Sequence, residues 1–329
     1  MKFPGLVDLQ VNGFGGIDFN SPMLRTDEVE EACRLLYAEG VVAFLPTLVT
    51  NDFEVIESLA RTILAADDSL GATILGLHLE GPFISPHPEA RGAHTATWIC
   101  APDINRIRRM QNIFQNKIKL LTFSPEWHGS AKFIEEVCGL GIRVAIGHTM
   151  ATPEEITQAA DAGATLSTHL GNGIPTLLPR HPNPIWSQLA EDRLWVSLIG
   201  DGFHLSRDIF QTIIKVKRKK AFLVSDSTKF AGMKPGKYQS LIGGDVVLTA
   251  EGKLSMAENE NLMAGSAMSL RMMIESLTRN GWLNFKEAWK LGSIRPWRYL
   301  GERGCPESVD VFVPKASARR PEGENIVLR

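Results

Sequence analysis

"RVAIGHTMATPEEITQAADAGATLSTHL", residues 143–170, reads as strand, helix, strand. Two apolar, β-branched runs, RVAIGHT (143–149) and ATLSTHL (164–170), flank the segment TPEEI. There Thr152 is a helix N-cap, Pro153 takes the first helical position, and Glu155, three residues past the cap, completes a capping box. A helix between two such runs predicts a parallel βαβ unit. Each run carries a histidine near its end, His148 and His169.

Six more runs of this kind recur: LVDLQVNG (6–13), VVAFLPTLVT (41–50), ATILGLHLEG (72–81), IKLLTFSPEW (118–127), LWVSLIGDGFHL (194–205) and AFLVSD (221–226). Between them apolar residues fall at helical spacing, as in Ile104, Ile107, Met110 and Ile113, or Phe133, Ile134, Val137 and Leu140 before Gly141. Eight nearly continuous apolar strands alternating with helices predict an α/β fold, a (β/α)8 barrel. An open doubly wound sheet is the alternative, but no GxGxxG follows the first strand. After the eighth run, "YQSLIGGDVVLTAEGKLS" (238–255) alternates around Gly-rich turns and predicts a β-hairpin insertion. Helical stretches around 266–279 and 284–300 follow. The barrel is thus expected over residues 1–300 and a polar tail over 301–329, with "PKASARRPEGENIVLR" only loosely attached.

Composition excludes several classes. The 329 residues are 44% hydrophobic with a net charge of −2, which gives no broad electrostatic footprint for nucleic acid or an acidic membrane surface. The four cysteines, Cys33, Cys100, Cys138 and Cys305, show neither CxxC nor framework spacing, so reduced thiols and a cytoplasmic setting are expected. No signal peptide and no membrane-spanning run is read in the sequence.

In such a barrel the chemistry belongs at the C-terminal ends of the strands. Polar residues stand there: Gln10 and Asn12 on the first strand, Glu80 on the third, His148 on the fifth, His169 on the sixth, His204 after the seventh and Asp226 on the eighth. Two neutral imidazoles and one carboxylate form the ligand set of a catalytic zinc site, so Glu80, His148 and His169 are the candidate metal ligands. Such an ion acidifies a water and polarises a carbonyl, and Asp226 beside it would take up and later deliver the proton. The expected chemistry is metal-assisted hydrolysis. His87, His128 and His181 read as surface or loop histidines.

The strings LHLEGPF (77–83), RGAH (91–94), AIGHT (145–149), STHLGNGIP (167–175), DGFHL (201–205), VSDST (224–228) and MAGSAMSL (263–270) together resemble the N-acetylglucosamine-6-phosphate deacetylases of the amidohydrolase superfamily, over roughly residues 4–300. The resemblance implies metal-dependent removal of acetate from the sugar amide. It assigns the ligand roles to Glu80, His148 and His169 and the acid/base role to Asp226. It makes His94 the contact to the substrate amide, with Ala93 beside it. Asn172, Gly173, Arg180 and His204 become sugar phosphate contacts, and Met263, Ala264 and Gly265 a loop beside the substrate. It further implies a homodimer in which Arg180 and His204 reach the phosphate from the neighbouring subunit. Where many amidohydrolases carry His-x-His on the first strand, Gln10 and Asn12 match the subset of deacetylases that use a single ion. One divalent ion per subunit is therefore expected, zinc first, with iron or cobalt fitting a similar donor set.

The sequence departs from the family in two ways. It begins almost on the first barrel strand, so the family's accessory β-sandwich is expected to be largely missing, with VDVFV (309–313) as its remnant. Gly171 and Gly173 stand where the family usually has an aromatic residue and an alanine, which bears on the sugar pocket. A deacetylase of a related N-acetylated sugar, such as the galactosamine epimer, stays open, as does a non-catalytic sugar phosphate-binding relative. A cyclic amidohydrolase of the dihydroorotase type is a third reading.

Overall fold

The structure, a computed structural model, describes residues 1–240, 244–302 and 304–310. Its central sheet comprises β1 (Leu6–Val11), β2 (Val41–Val49), β3 (Leu77–Glu80), β4 (Ile118–Phe123), β5 (Arg143–Ile146), β6 (Leu166–Ser167), β7 (Trp195–Ile199) and β8 (Ala221–Val224). Neighbours pair in this order, all parallel. The ring closes where Asp226 N donates to Gln10 O at 2.9 Å, Asn12 N donates to Ser227 O at 2.9 Å, and Val11 bridges Ser227 in parallel. The expected (β/α)8 barrel is thus the observed architecture.

Helices return the chain between strands: α1 (Thr26–Ala38), α2 (Phe53–Leu64), α3 (Ile104–Ile113), α4 (Ser130–Gly139), α5 (Pro153–Asp161), α6 (Pro184–Ala190) and α7 (Arg207–Lys217). The capping box read from TPEEI starts α5, Thr152 Oγ1 accepting from Glu155 N and Glu155 Oε2 from Thr152 N. Each face of the sheet has its own apolar cluster, because a parallel sheet covered by helices shows no face to water. The outer cluster joins helix residues such as Val29, Ile56, Ile107 and Ile134 to strand residues such as Leu6, Phe44 and Leu121. Val7, Leu9, Ala43, Leu45, Leu120, Ala145, Leu166, Phe222 and Val224 fill the barrel interior. Above them lies a polar layer. The His78 ring bridges Thr47 Oγ1 at 3.1 Å and Thr122 Oγ1 at 2.8 Å, and Thr122 meets Thr168 Oγ1 at 2.7 Å.

Several elements differ from the sequence reading. The insertion after β8 is larger than a hairpin: β9 (Gly236–Ser240), β10 (Gly244–Leu248), β11 (Leu254–Met256) and β12 (Asn259–Met263) form a four-stranded antiparallel sheet. The following helix, α8 (Leu270–Arg279), begins later than 266, because Ser266 bridges Ser227 in extended conformation and Ser269 caps the helix, accepting from Met272 N. The stretch 284–300 splits into α9 (Phe285–Gly292) and α10 (Ile294–Tyr299) at Ser293, whose φ of −126° and ψ of −86° are not helical. Ser308–Asp310 pairs antiparallel with Lys2–Pro4. The rest of the expected tail, 311–329, lies outside the described residues.

Candidate metal centre and active site

The C-terminal ends of β3, β5, β6 and β8 converge on one buried cluster. His148, His169 and Asp226 have φ of +49°, +31° and +47°. Non-glycine residues rarely take this left-handed conformation, and where they do the surrounding structure imposes it, often at a functional site. Glu80 ends β3 with its side chain 4% exposed. The ligand atoms of Glu80, His148 and His169 lie within 4.8 Å of one another, the one such cluster among the described residues. His169 Nε2 is 2.9 Å from Glu80 Oε1 and His148 Nε2 is 3.4 Å from it.

The donor set fits a divalent ion. His148 Nδ1 donates to Ala90 O at 2.9 Å, which leaves the Nε2 lone pair turned toward Glu80. Burial would raise the Glu80 pKa, but the hydrogen bonds and charge of the two imidazoles outweigh it and hold the carboxyl well below the usual range. His169 moves the other way: burial opposes its charged form, and the bond to Glu80 outweighs that and raises its pKa. An ionised carboxylate and two imidazole nitrogens thus face one another at short spacings, a donor set that a cation fits.

Asp226 completes the cluster. Its Oδ1 accepts from Asn12 Nδ2 at 2.8 Å, and burial, reinforced by the charge of Glu80, raises its pKa from 3.8 to about 6. Gln10 Nε2 donates to Glu80 Oε1 at 2.9 Å. A register shift between Asp8 and Val11 re-aims this part of β1, so that Gln10 and Asn12 both reach inward where Val7 and Leu9 already do. The two amides therefore hold the two carboxylates. Asn12 Oδ1 and His169 Nδ1 are buried without a hydrogen-bond partner among the described residues, the kind of unmet polar demand that marks a functional site. His94 stacks edge-on to His148, with ring centroids 4.4 Å apart, and its Nε2 is 4.0 Å from Glu80 Oε2.

The remaining expected residues divide. His204 is half-buried, its Nδ1 2.6 Å from Asp201 Oδ2. Gly173 packs on the His148 ring so closely that a Cβ there would lie 2.8 Å from Nδ1. Asn172 turns its amide back to His169 O at 3.2 Å. Gly265 lies against Thr228, two residues past Asp226, whereas Met263 ends β12 and Ala264 packs on the apolar cluster of the insertion. Ala93 is exposed. Arg180 is also exposed, and its guanidinium makes no ion pair among the described residues, so it is not joined to the cluster. His87, His128 and His181 are exposed, as expected. Three contributors escaped the sequence reading: His78, Thr50 and Asp201. His78 was legible, being two residues from Glu80 and hence on the same strand face. Asp201 buries its carboxylate to accept from the N–H groups of Phe203 and His204 as well as the His204 ring.

A closed parallel barrel with a glutamate and two histidines around one point, and an aspartate beside them, defines a metal-dependent hydrolase of the amidohydrolase type. No protein-family model matches the chain. It is 32% identical to an N-acetylglucosamine-6-phosphate deacetylase from Bacillus subtilis (strain 168) over 81% of this chain and 67% of that protein. It is 28% identical to an N-acetylgalactosamine-6-phosphate deacetylase from Escherichia coli O157:H7 over 92% and 78% of the two chains. The solved N-acetyl-D-glucosamine-6-phosphate deacetylase of Mycobacterium smegmatis superposes with a TM-score of 0.81 at 28% identity, covering 92% of this chain and 79% of that one. The chain belongs to the N-acetylglucosamine-6-phosphate deacetylase family.

Proposed function

We propose that this protein hydrolyses the acetamide of N-acetylglucosamine 6-phosphate, releasing acetate and glucosamine 6-phosphate. The observation that carries the reading is the convergence of Glu80, His148 and His169 with Asp226 inside a barrel of this family. Glu80, His148 and His169 would hold one ion per subunit, zinc by the chemistry of two imidazoles and a carboxylate, with iron or cobalt as alternatives. When bound, such an ion supplies Lewis acidity, which acidifies water to a pKa of about 7 and polarises an amide carbonyl.

The chain's own groups do the rest. Asn12 occupies Asp226 Oδ1, so Oδ2 takes the proton from the attacking water and returns it to the amide nitrogen as the C–N bond breaks. Burial and the charge of Glu80 both favour the protonated form of this carboxyl, which suits it to hold the proton between the two steps. His94 Nε2 donates to the substrate carbonyl oxygen. His204, held by Asp201, and Arg180 bind the 6-phosphate, as a ring N–H and a planar fork of donors suit that dianion. Arg180 reaches it from the partner of a homodimer, together with the partner's copy of His204, which accounts for its exposure here. Asn172, Gly173, Ala93 and the Met263 to Gly265 loop border the sugar. A cytoplasmic setting agrees with four free cysteines and with the absence, among the described residues, of any helix long and apolar enough to cross a membrane.

The test is acetate release by metal-loaded protein from N-acetylglucosamine and N-acetylgalactosamine, each with and without the 6-phosphate. Rapid release from the phosphorylated glucosamine compound is expected. The relative from E. coli O157:H7 gives the galactosamine epimer its place in the panel. No acetate from either phosphorylated sugar would refute deacetylation, and rates indifferent to phosphate would remove Arg180 and His204 from their roles.

A further inference from the structure

Thr50 directly follows β2 and is 3% exposed, with its hydroxyl wedged between two segments of the site. On one side is Gly81, at φ +86°, where a Cβ would lie 2.2 Å from Thr50 Oγ1. Only glycine lets the hydroxyl in. On the other side, His94 Nδ1 lies 2.9 Å from Oγ1. The hydroxyl carries one hydrogen and has two acceptors within reach, His94 Nδ1 and, at 3.4 Å, the carbonyl oxygen of Glu80. Hydroxyl donors hold their acceptors at about 2.5 to 3.0 Å, a range that the 2.9 Å contact to the nitrogen meets and the 3.4 Å contact to the carbonyl oxygen does not, so the geometry favours donation to the nitrogen. A neutral imidazole that accepts at Nδ1 must carry its proton on Nε2.

A second observation gives the same answer. His94 Nε2 faces Glu80 Oε2 at 4.0 Å. A bare lone pair there would be repelled by the carboxylate, whereas an N–H is attracted to it.

We propose that Thr50 is a positioning residue: its hydroxyl donates to His94 Nδ1 and fixes the imidazole in the Nε2–H form, so that the ring presents a donor to the reacting carbonyl. The inference rests on the reading of His94 as the contact to the substrate amide. In the opposite tautomer a nitrogen lone pair would meet the lone pairs of the carbonyl oxygen, and His94 would repel the group it must bind. Thr50 therefore does for His94 what the Ala90 carbonyl does for His148, with the polarity reversed: one neighbour demands a proton on Nδ1, the other demands its absence.

The test uses Thr50→Val, which keeps the shape and loses the hydroxyl, and Thr50→Ser, which keeps the hydroxyl. Ring-nitrogen NMR spectra of the metal-free protein, with the His94 signals assigned through His94→Gln, report the tautomer without reference to activity. The wild type should show His94 protonated at Nε2, and Thr50→Val a mixture of tautomers. In the metal-loaded enzyme kcat should fall about 10- to 100-fold in Thr50→Val, with KM and metal content unchanged, and Thr50→Ser should stay within about threefold of wild type. A proton on Nδ1 of wild-type His94 would overturn the proposal, as would a Thr50→Val variant with wild-type spectra and turnover. If the wild type releases no acetate from any sugar, the functional reading fails, while the ring spectra still decide what Thr50 does.

Discussion

Asp226→Asn separates two consequences of one buried carboxyl. The amide keeps the shape and an oxygen for the 2.8 Å hydrogen bond from Asn12 Nδ2, but it cannot take up a proton. Loss of a general acid/base lowers turnover about 10²- to 10⁴-fold, or about 3 to 5 kcal/mol of transition-state stabilisation. Stability moves the other way. Burial, and then the charge of Glu80, displaces the Asp226 pKa from 3.8 to about 6. A carboxyl raised in the fold contributes stability that is present below its unfolded pKa and lost as pH rises through the folded one. At 1.36 kcal/mol per pH unit, the loss in the metal-free protein reaches about 3 kcal/mol at pH 8. The amide variant escapes that loss, so without metal it should melt above the wild type at pH 8, with the gap closing towards pH 4. Acetate release by the metal-loaded proteins and thermal melts of the metal-free ones, at pH 4, 6 and 8, provide the assay. Turnover within tenfold of wild type, or equal melting at pH 8, would refute the reasoning.

Other perturbations reach different parts of the site. Asp201→Asn removes the charged acceptor 2.6 Å from His204 Nδ1; KM for a phosphorylated sugar should rise about tenfold with kcat little changed, and an equal rise for the unphosphorylated sugar would show that His204 does not bind phosphate. Asp8, 1% exposed, accepts from Gln10 N at 3.3 Å and Ser225 N at 3.1 Å, and burial pushes its pKa up to about 7. Its share of the stability therefore falls as pH rises, by about 3 kcal/mol between pH 5 and pH 8. Urea midpoints of Asp8→Asn should depend less steeply on pH than those of the wild type; matching slopes would contradict the buried, protonated carboxyl.

The barrel was legible because its strands are buried on both faces. They read as continuous apolar runs, and a Glu, His or Asp at the end of such a run stands out. That contrast located Glu80, His148, His169 and Asp226 before any geometry was known. The same continuity conceals register: nothing in LVDLQVNG announces the shift between Asp8 and Val11 that turns Gln10 and Asn12 inward. Hydroxyls are equally quiet in sequence, since Thr is an ordinary strand residue, so Thr47, Thr50, Thr122 and Thr168 pass as β-formers although each binds a histidine or another threonine inside the barrel. The insertion was underestimated because Asn259–Met263 is largely exposed and polar and carries no apolar alternation. Asp201 falls inside the run LWVSLIGDGFHL with no role of its own in the sequence, since that role depends on the His204 ring folding back onto it.

The central claim is a single ion held by Glu80, His148 and His169, with Gln10 and Asn12 standing where a second ion would need ligands. Metal content per chain, measured by mass spectrometry after loading with zinc and exhaustive dialysis, tests it directly. The account predicts one equivalent in the wild type and a fall towards zero in Glu80→Gln, His148→Ala and His169→Ala. Two equivalents in the wild type, or wild-type content in both histidine variants, would contradict it.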